Sequence, residues 1–250
     1  RLRSGARPTQ KSKRLVTQSN DALEPTLWAE PFQEGISISG IQPKIAVNKD
    51  AQGRFVGRTH LGESAIIAKL PSAEYPRMPQ MEHLCMSLAA MAGIRVCDFE
   101  LHPLSALHAP HRYDLGQEWT GQFLAVTRFD RSPQGRIHFE DFAQALGVSP
   151  EAKYAQSYQA VAALLLDLPG CGEAAVYELI ERMEVNDLLG NADMHLKNMG
   201  LLYPDGRQAE FAPAYDITST AVLQGARGHA LHLLDAQTIE RPPRAAQRTA

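Results

Sequence analysis

The chain has 250 residues, of which 44% are hydrophobic and 21% charged, a composition that is ordinary for a globular protein. Its formal charge of −3 excludes a global basic field of the kind that binds nucleic acid, and its three cysteines lack the spacing of a zinc site or a disulfide framework. No apolar run reaches transmembrane length, so we expect a cytoplasmic protein with no membrane contact.

The first 34 residues are predicted to form a flexible basic arm. They are polar, contain prolines, and carry basic residues with no acid before Asp21. The arm is either a solvated tail or a docking segment for an acidic partner. Residues 35–130 then contain short apolar runs that predict a β-rich N-terminal lobe. The predicted strands cover residues 45–47, 54–58, 65–70, 95–104 and 121–128.

One helix is predicted in this lobe, over residues 79–92. Apolar residues recur there at helical spacing, and Gly93 is a plausible C-cap. We expect the apolar stripe to belong to the core, not to a cofactor site. Its members are Met81, Leu84, Cys85, Leu88 and Met91.

The second half of the chain is richer in helical patterns. Helices are predicted at residues 139–146, 154–168 and 171–189, and a hairpin at 199–212 around the turn Pro204-Asp205-Gly206. Strands first and helices second predict an α+β fold with two lobes. The helical C-terminal lobe is expected at residues 131–236, followed by a disordered tail at 237–250.

The strongest functional pattern lies in the loop between the last long helix and the hairpin. Asp193 is followed five residues later by Asn198, which is the spacing of the protein-kinase catalytic loop. In that loop the Asp accepts the proton of the substrate hydroxyl, and the Asn binds Mg²⁺. Asp216 comes after the hairpin, which returns it to the side of Asn198. Carboxylate and amide oxygens suit Mg²⁺, so Asn198 and Asp216 are the predicted metal ligands.

The β-rich lobe supplies the residues expected to bind the phosphates of ATP. Lys69 ends a strand, and Glu82 lies in the helix that follows, an arrangement that holds the α- and β-phosphates in kinases. A loop of backbone N–H groups is also needed. The loop at residues 37–44 is the candidate, with Ser37, Ser39, Gly40, Gln42 and Lys44, although it lacks the G-x-G-x-x-G pattern.

Five segments in this order resemble the HipA family of toxin kinases. The block HFEDFAQALG is specific to that family, whereas the catalytic loop is shared by kinases at large. The segments are ISGIQPK at 38–44, RFDR at 128–131, HFEDFAQALG at 138–147, GNADMHLKN at 190–198 and APAYD at 212–216.

The resemblance implies a two-lobed, protein-kinase-like fold and a serine/threonine kinase that uses ATP and Mg²⁺. It implies a toxin whose target is an aminoacyl-tRNA synthetase, so that translation stops. The implied partner is a helix-turn-helix antitoxin resembling HipB, through which DNA is bound indirectly. By position, Asp193 becomes the catalytic base, Asn198 and Asp216 the Mg²⁺ ligands, and Lys69 the ATP-phosphate lysine.

The same resemblance gives expectations about regulation and length. Ser37 and Ser39 match the autophosphorylated serines of short, HipT-like members, in which a small HipS-like protein replaces the N-terminal subdomain. A phosphate there adds about −1.5 to −2 charges where ATP phosphates bind, so it should block nucleotide binding. Family members continue with more helices after the segment that contains Asp216, so we also expect a C-terminally shortened member.

Several residues allow two interpretations from the sequence alone. His195 either stabilises the transferred phosphoryl group or packs to hold the loop, and Lys197 either contacts the γ-phosphate or substrate or is solvated. Arg128 and Asp130 are expected to form an ion pair between the lobes. Two other functions compete with a toxin kinase: a small-molecule phosphotransferase of the same fold, and a truncated, catalytically impaired remnant that binds antitoxin.

Overall fold

The computed structural model describes residues 42–57, 64–109 and 121–234. The predicted arm, most of the phosphate loop and the predicted tail lie outside these ranges. In the described part, no helix is both long enough and apolar enough to cross a membrane.

A six-stranded sheet dominates the N-terminal lobe. In space the order is β4-β6-β3-β1-β2-β5, and every neighbouring pair is antiparallel except β2 and β5. Short strands rich in Val, Ile and Phe fit a pleated, half-buried surface, which explains why the apolar runs predicted this sheet. The strands are β1 Lys44–Lys49, β2 Phe55–Gly57, β3 Ile66–Lys69, β4 Phe99–Pro103, β5 Leu107–His108 and β6 Gln122–Thr127.

The helix of this lobe, α1, spans Met78–Met91 and packs against β6 and β4. Pro79 lies in its first turn, where a missing N–H costs nothing, and the helix ends before Gly93, which has a φ of 95°. The helix was predicted correctly, but its buried face only in part: Cys85 is buried and Met81 packs against the same core cluster. Leu84, Leu88 and Met91 are exposed, with Met91 at 84%. The helix is instead rotated so that the charged residue Glu82 is completely buried beside β3.

The C-terminal lobe combines helices with small sheets. A hairpin of β7 and β8 is followed by a three-stranded sheet in the order β11-β10-β9. The strands are β7 Arg131–Ser132, β8 Gly135–Arg136, β9 His138–Asp141, β10 Gly200–Tyr203 and β11 Glu210–Phe211. The helices are α2 Phe142–Ala145, α3 Tyr158–Asp167, α4 Gly172–Leu189 and α5 Thr220–Gln224.

Two predicted helices in this lobe begin later than the sequence suggested. Residues 139–141 form strand β9, which pairs with β10, and α2 starts only after Asp141 caps it through a bond from the Gln144 N–H. Residues 154–157 are not helical, because Ser157 caps α3 by accepting from the Ala160 N–H at 3.0 Å. Asp and Ser are strong N-caps, so each cap sets the start of its helix.

The two lobes are joined by backbone hydrogen bonds and by a shared core. Val96 and Ala214 form a parallel bridge, in which the Cys97 N–H donates to the Ala214 carbonyl at 3.0 Å. Around this bridge, buried Cys85 and Met86 of α1 share one cluster with Ala214 and Ile217. Asp216 lies between the last two residues, so the segment that carries it is fixed to the N-terminal lobe.

Candidate active site

A buried charge cluster joins the two lobes at the cleft. The Lys69 ammonium donates to Glu82 Oε1 and, at 2.6 Å, to Asp216 Oδ1. Lys69 comes from β3 and Glu82 from α1, so the structure brings together the lysine and the glutamate that the spacing paired. Charge-assisted bonds of this kind fix both donor and acceptor in position.

Electrostatics keep Lys69 charged despite its burial. Burial favours the neutral amine, but the carboxylates of Asp216 and Glu82 outweigh that effect and raise the pKa of Lys69. For Glu82, burial disfavours the charged carboxylate and raises the pKa, and the positive charge of Lys69 opposes that rise. Two carboxylates around one ammonium leave an excess of negative charge, which favours binding of a further cation.

Asp216 occupies an unusual backbone conformation. Its φ is 60°, the only positive value among the non-glycine residues that the structure describes. The adjacent Tyr215 hydroxyl donates to the Lys197 carbonyl at 2.8 Å, which ties this segment to the catalytic loop. The hairpin of β10 and β11 makes the return possible, as the sequence predicted. Strained backbone of this kind is frequent at functional sites.

The catalytic loop is held by a relay of buried amide side chains. The Asn186 amide donates to the Arg182 carbonyl at 2.7 Å, and Asn191 donates to Asn186 Oδ1 at 2.6 Å. Asn191 Oδ1 in turn accepts from the Asp193 N–H at 3.0 Å. The relay therefore runs from the buried side of α4 to the backbone of Asp193, and it explains why polar residues are buried beneath the loop.

Asn198 is oriented by Asp193 itself. The Asn198 Nδ2 donates to the Asp193 carbonyl at 2.8 Å, so its Oδ1 lies on the opposite branch of the amide. Asn198 and Asp216 line one small cavity, and Asp193 and Asp216 line the next. No trio of His, Cys, Asp or Glu in the described ranges could hold a metal. Asn198 and Asp216 together offer one amide oxygen and one carboxylate, a donor set that fits Mg²⁺.

His195 is buried and neutral. Burial, assisted by the charge of Lys153, lowers the pKa of His195 from 6.5 to about 3. Its Nδ1 accepts from the Lys197 N–H at 3.2 Å, so the proton is on Nε2, which lies 3.8 Å from Asp193 Oδ1. That Nε2 has no hydrogen-bond partner among the described residues. These contacts give His195 a role in shaping the loop, and leave one donor beside the carboxylate.

The phosphate loop is described only at its end. Gln42 is buried, lines the same cavity as Asp193 and Asp216, and its Nε2 has no partner among the described residues. Lys44 lies directly opposite Lys69 in the pairing of β1 with β3. The other predicted members of the loop, Ser37, Ser39 and Gly40, lie outside the described residues. A buried amide donor without a partner in the described ranges fits an anion at this end of the cleft.

Arg128 and Asp130 form an ion pair, as predicted, but the two residues lie two positions apart in one segment, so their bond does not itself link the lobes. Arg128 donates to both carboxylate oxygens of Asp130, at 2.9 and 2.7 Å, and Arg131 donates to Asp130 at 2.6 Å. These side chains are mostly buried. The ion pairs lie at the junction of the two lobes and have a structural role there.

Two residues in the site were not predicted from the sequence. The Tyr154 hydroxyl donates to Asp193 Oδ1 at 2.7 Å, and buried Arg182 donates to the Ala212 carbonyl at 2.7 Å while its guanidinium lies 3.8 Å from the centre of the Phe211 ring. Neither belongs to a recognisable motif. Tyr154 is 39 residues from Asp193, so no local spacing could have linked them.

A β-rich lobe with a buried lysine–glutamate pair, facing a helical lobe with an Asp-x₄-Asn loop and a second aspartate, defines a two-lobed, protein-kinase-like fold. The chain matches the family of HipA-like C-terminal domains over residues 36–249 and belongs to that family.

Known relatives agree with this assignment. Two proteins of Sinorhizobium fredii are similar over most of this chain: "Putative kinase Y4dM" is 38% identical over 77% of it, and "Putative kinase Y4mE" 34% identical over 85%. The matches cover 47% and 49% of those proteins, so the chain spans about half the length of these curated relatives.

A solved structure shares the fold. The Shewanella oneidensis toxin HipA, determined with HipB and its operator DNA, superimposes with a TM-score of 0.65 at 23% identity, over 88% of this chain and 52% of that one.

Proposed function

We propose that this chain is a Mg²⁺-dependent serine/threonine protein kinase that transfers the γ-phosphoryl group of ATP to a protein hydroxyl. The observation that carries the proposal is the meeting of Lys69, Glu82 and Asp216 in one buried cluster beside Asp193 and Asn198. Five residues from two lobes have the chemistry of phosphoryl transfer: Asp193, Asn198 and Asp216 line neighbouring cavities, and Lys69 links Asp216 to Glu82. Membership of a family whose relatives are named as kinases supports the same activity.

Each side chain has a defined part in the proposed reaction. Lys69, held by Glu82, binds the α- and β-phosphates, and Gln42 and Lys44 add donors at the same end of the cleft. The Asp193 carboxylate accepts the proton of the acceptor hydroxyl while the oxygen of that hydroxyl forms a bond to the γ-phosphorus. The bond from that phosphorus to the bridging oxygen then breaks, and ADP leaves with the electron pair.

The metal would be held by Asn198 and Asp216. When bound, Mg²⁺ neutralises charge on the phosphate oxygens. Asp216 meets the requirement for a ligand that is already ordered, because Lys69 and the left-handed backbone fix its carboxylate. Asn198 meets it through the bond of its Nδ2 to Asp193. Lys197 flanks Asn198, and we place it as a contact to the transferred group or the acceptor, whereas buried His195 holds the loop that carries both.

The family suggests the biological setting. We propose that the acceptor is an aminoacyl-tRNA synthetase, whose phosphorylation inhibits translation. The Shewanella oneidensis neighbour was solved with HipB and operator DNA. A helix-turn-helix antitoxin is therefore the proposed partner, with DNA bound only through it, and a HipS-like protein is a second candidate partner. Autophosphorylation at Ser37 or Ser39 is the proposed means of switching the enzyme off.

The proposal is tested by incubating the purified chain with γ-labelled Mg-ATP and a bacterial lysate, with Asp193→Asn as the matched control. A labelled protein band that carries phosphoserine or phosphothreonine, and is absent with the variant, supports a protein kinase. Label that appears only in small molecules favours a phosphotransferase. A folded wild-type chain that transfers no label contradicts the proposal and favours a remnant that binds antitoxin.

A further inference from the structure

Tyr154 contacts the reacting end of the proposed catalytic base. Its hydroxyl donates to Asp193 Oδ1 at 2.7 Å, from a segment between a short 3₁₀ turn at Pro150–Ala152 and helix α3. A carboxylate offers about four lone-pair positions, and Tyr154 takes one of them. A hydrogen bond to an ionised acceptor is among the stronger ones in proteins, so it restricts rotation of the Asp193 carboxylate.

The ring of Tyr154 is itself held in place. It meets the His195 ring edge-to-face, with centroids 5.1 Å apart and an interplanar angle of 80°. The Lys153 ammonium lies 5.3 Å from the centre of the Tyr154 ring, and the Lys153 carbonyl accepts from the Leu196 N–H at 3.3 Å. The tyrosine is thus packed onto the catalytic loop, and its hydroxyl cannot leave Asp193 without disturbing those contacts.

A second tyrosine provides an internal comparison. Tyr158, four residues later, donates its hydroxyl at 2.8 Å to the carbonyl of Met194, the residue after Asp193. Both tyrosines therefore fasten the same loop. Only Tyr154 reaches the carboxylate, whereas Tyr158 reaches the backbone. The Tyr154 contact can therefore orient the reacting carboxylate, whereas the Tyr158 contact can only stabilise the backbone of the loop.

We propose that Tyr154 is a positioning residue: its hydroxyl fixes the rotamer of Asp193, and with it the orientation in which the carboxylate meets the acceptor hydroxyl. The inference depends on the proposed function, because it takes Asp193 as the base. It goes beyond that function by assigning a role to a residue outside every kinase motif in the chain. A base that is free to rotate meets the acceptor in the reactive geometry less often, so the rate of transfer falls while nucleotide binding does not.

The test compares Tyr154→Phe with Tyr158→Phe in the complete chain. Each variant removes one hydroxyl and keeps the ring. For Tyr154→Phe we expect kcat for phosphoryl transfer to fall by about tenfold or more, with the KM for ATP within about twofold of wild type. For Tyr158→Phe we expect a lower unfolding midpoint and no comparable fall in kcat. Equal kcat in wild type and Tyr154→Phe, or an equal loss in both variants, overturns the inference.

A measurement without catalysis checks the contact. Unfolding midpoints of Tyr154→Phe, Asp193→Ala and the double variant form a cycle, and a direct bond predicts that the two effects are not additive. Additive effects overturn the inference even when the wild-type enzyme is active. Absence of any transfer by the wild type overturns the proposed function and this role together, so the two failures are distinguishable.

Discussion

At the scale of single residues, Asp216 combines two costs that a structural residue would avoid. It is in the left-handed region, which costs a residue with a Cβ about 1–2 kcal/mol, although the short polar side chain of aspartate reduces that cost. It also adds a second carboxylate to a cluster that already contains Glu82 and a single ammonium from Lys69. Both costs are understandable when the residue is kept for binding a cation.

We predict that Asp216→Asn separates stability from activity. Asparagine tolerates the left-handed backbone and keeps an Oδ1 for Lys69, while it removes one of two crowded carboxylates. The free energy of unfolding should therefore stay within about 1 kcal/mol of wild type, whereas Asp216→Ala should lose about 1–3 kcal/mol. Urea denaturation measures both. Equal destabilisation by the two substitutions would refute the explanation given for the backbone.

His195 should make stability depend on pH. Its pKa is about 3 in the folded chain against an ordinary value of 6.5. Below about pH 6.5 the unfolded chain therefore binds a proton that the folded chain does not, and stability is lost as the pH falls towards 3. The contribution is about 1.4 kcal/mol per pH unit in that window. It is absent above pH 6.5, where both states are neutral.

The variant His195→Gln isolates this effect, because glutamine can still accept from the Lys197 N–H. Urea midpoints at pH 8, 6 and 5 should show wild type losing stability relative to the variant as the pH falls. A difference between the two proteins that stays constant over that range would mean that His195 titrates normally in the folded chain.

At the scale of elements, helix α4 is the support of the catalytic loop. Its last two turns supply Arg182 and Asn186 to the interior, and Gly190 ends it with a φ of 68°. A Cβ at Gly190 would lie 2.7 Å from the Ala221 Cβ, so the chain can turn into the loop there only with glycine. The loop is therefore placed by the end of α4 as well as by its own sequence.

The amide relay predicts a specific loss of stability. Asn191→Ala leaves the Asn186 Oδ1 and the Asp193 N–H buried without those partners, which should lower the free energy of unfolding by about 1–3 kcal/mol. Asp187→Ala, at an exposed position on the same helix, is the control and should change stability by less than about 0.5 kcal/mol. Guanidinium titrations that give the two variants the same stability would contradict the relay.

Elements were predictable where local patterns decide them, and not where tertiary contacts do. The apolar run before Pro71 gave β3, and Gly93 gave the end of α1. The buried face of α1 was predicted only in part. Cys85 is buried as expected, but apolar spacing also favoured Leu84 and Leu88, which are exposed, whereas the charged Glu82 is buried where it bonds to Lys69. Residues 139–141 were predicted as helix but form part of strand β9. Their partner strand, β10, lies some 60 residues away in the chain, so no local pattern could indicate the pairing.

At the scale of the whole molecule, the site is assembled from both lobes and is fixed at one backbone bridge. The pairing of Val96 with Ala214 attaches the segment that carries Asp216 to the lobe that supplies Lys69. The predicted metal ligand and the predicted phosphate ligand are therefore in contact before any ligand binds. A cation that binds the Asp216 carboxylate must then either displace Lys69 from it or bind to it together with Lys69.

The site residues that could be predicted from the sequence belong to short motifs whose spacing is typical of a known chemistry. Asp193 and Asn198 are linked by a spacing of five, and Asp216 by a hairpin whose turn residues are explicit. Tyr154 and Arg182 could not be found in this way, because a tyrosine before a helix and an arginine within one are common and only the folded chain shows what they touch.

The most direct test of the account is to measure Mg-ATP binding by calorimetry and phosphoryl transfer in wild type, Asp216→Asn and Asp193→Asn. We predict that Asp216→Asn weakens the binding of Mg-ATP by about tenfold or more, whereas Asp193→Asn binds it normally and transfers at least about a hundredfold more slowly. That separation would establish a metal anchor and a base in one cleft. Wild-type affinity for Mg-ATP in Asp216→Asn, or normal transfer by Asp193→Asn, would contradict it.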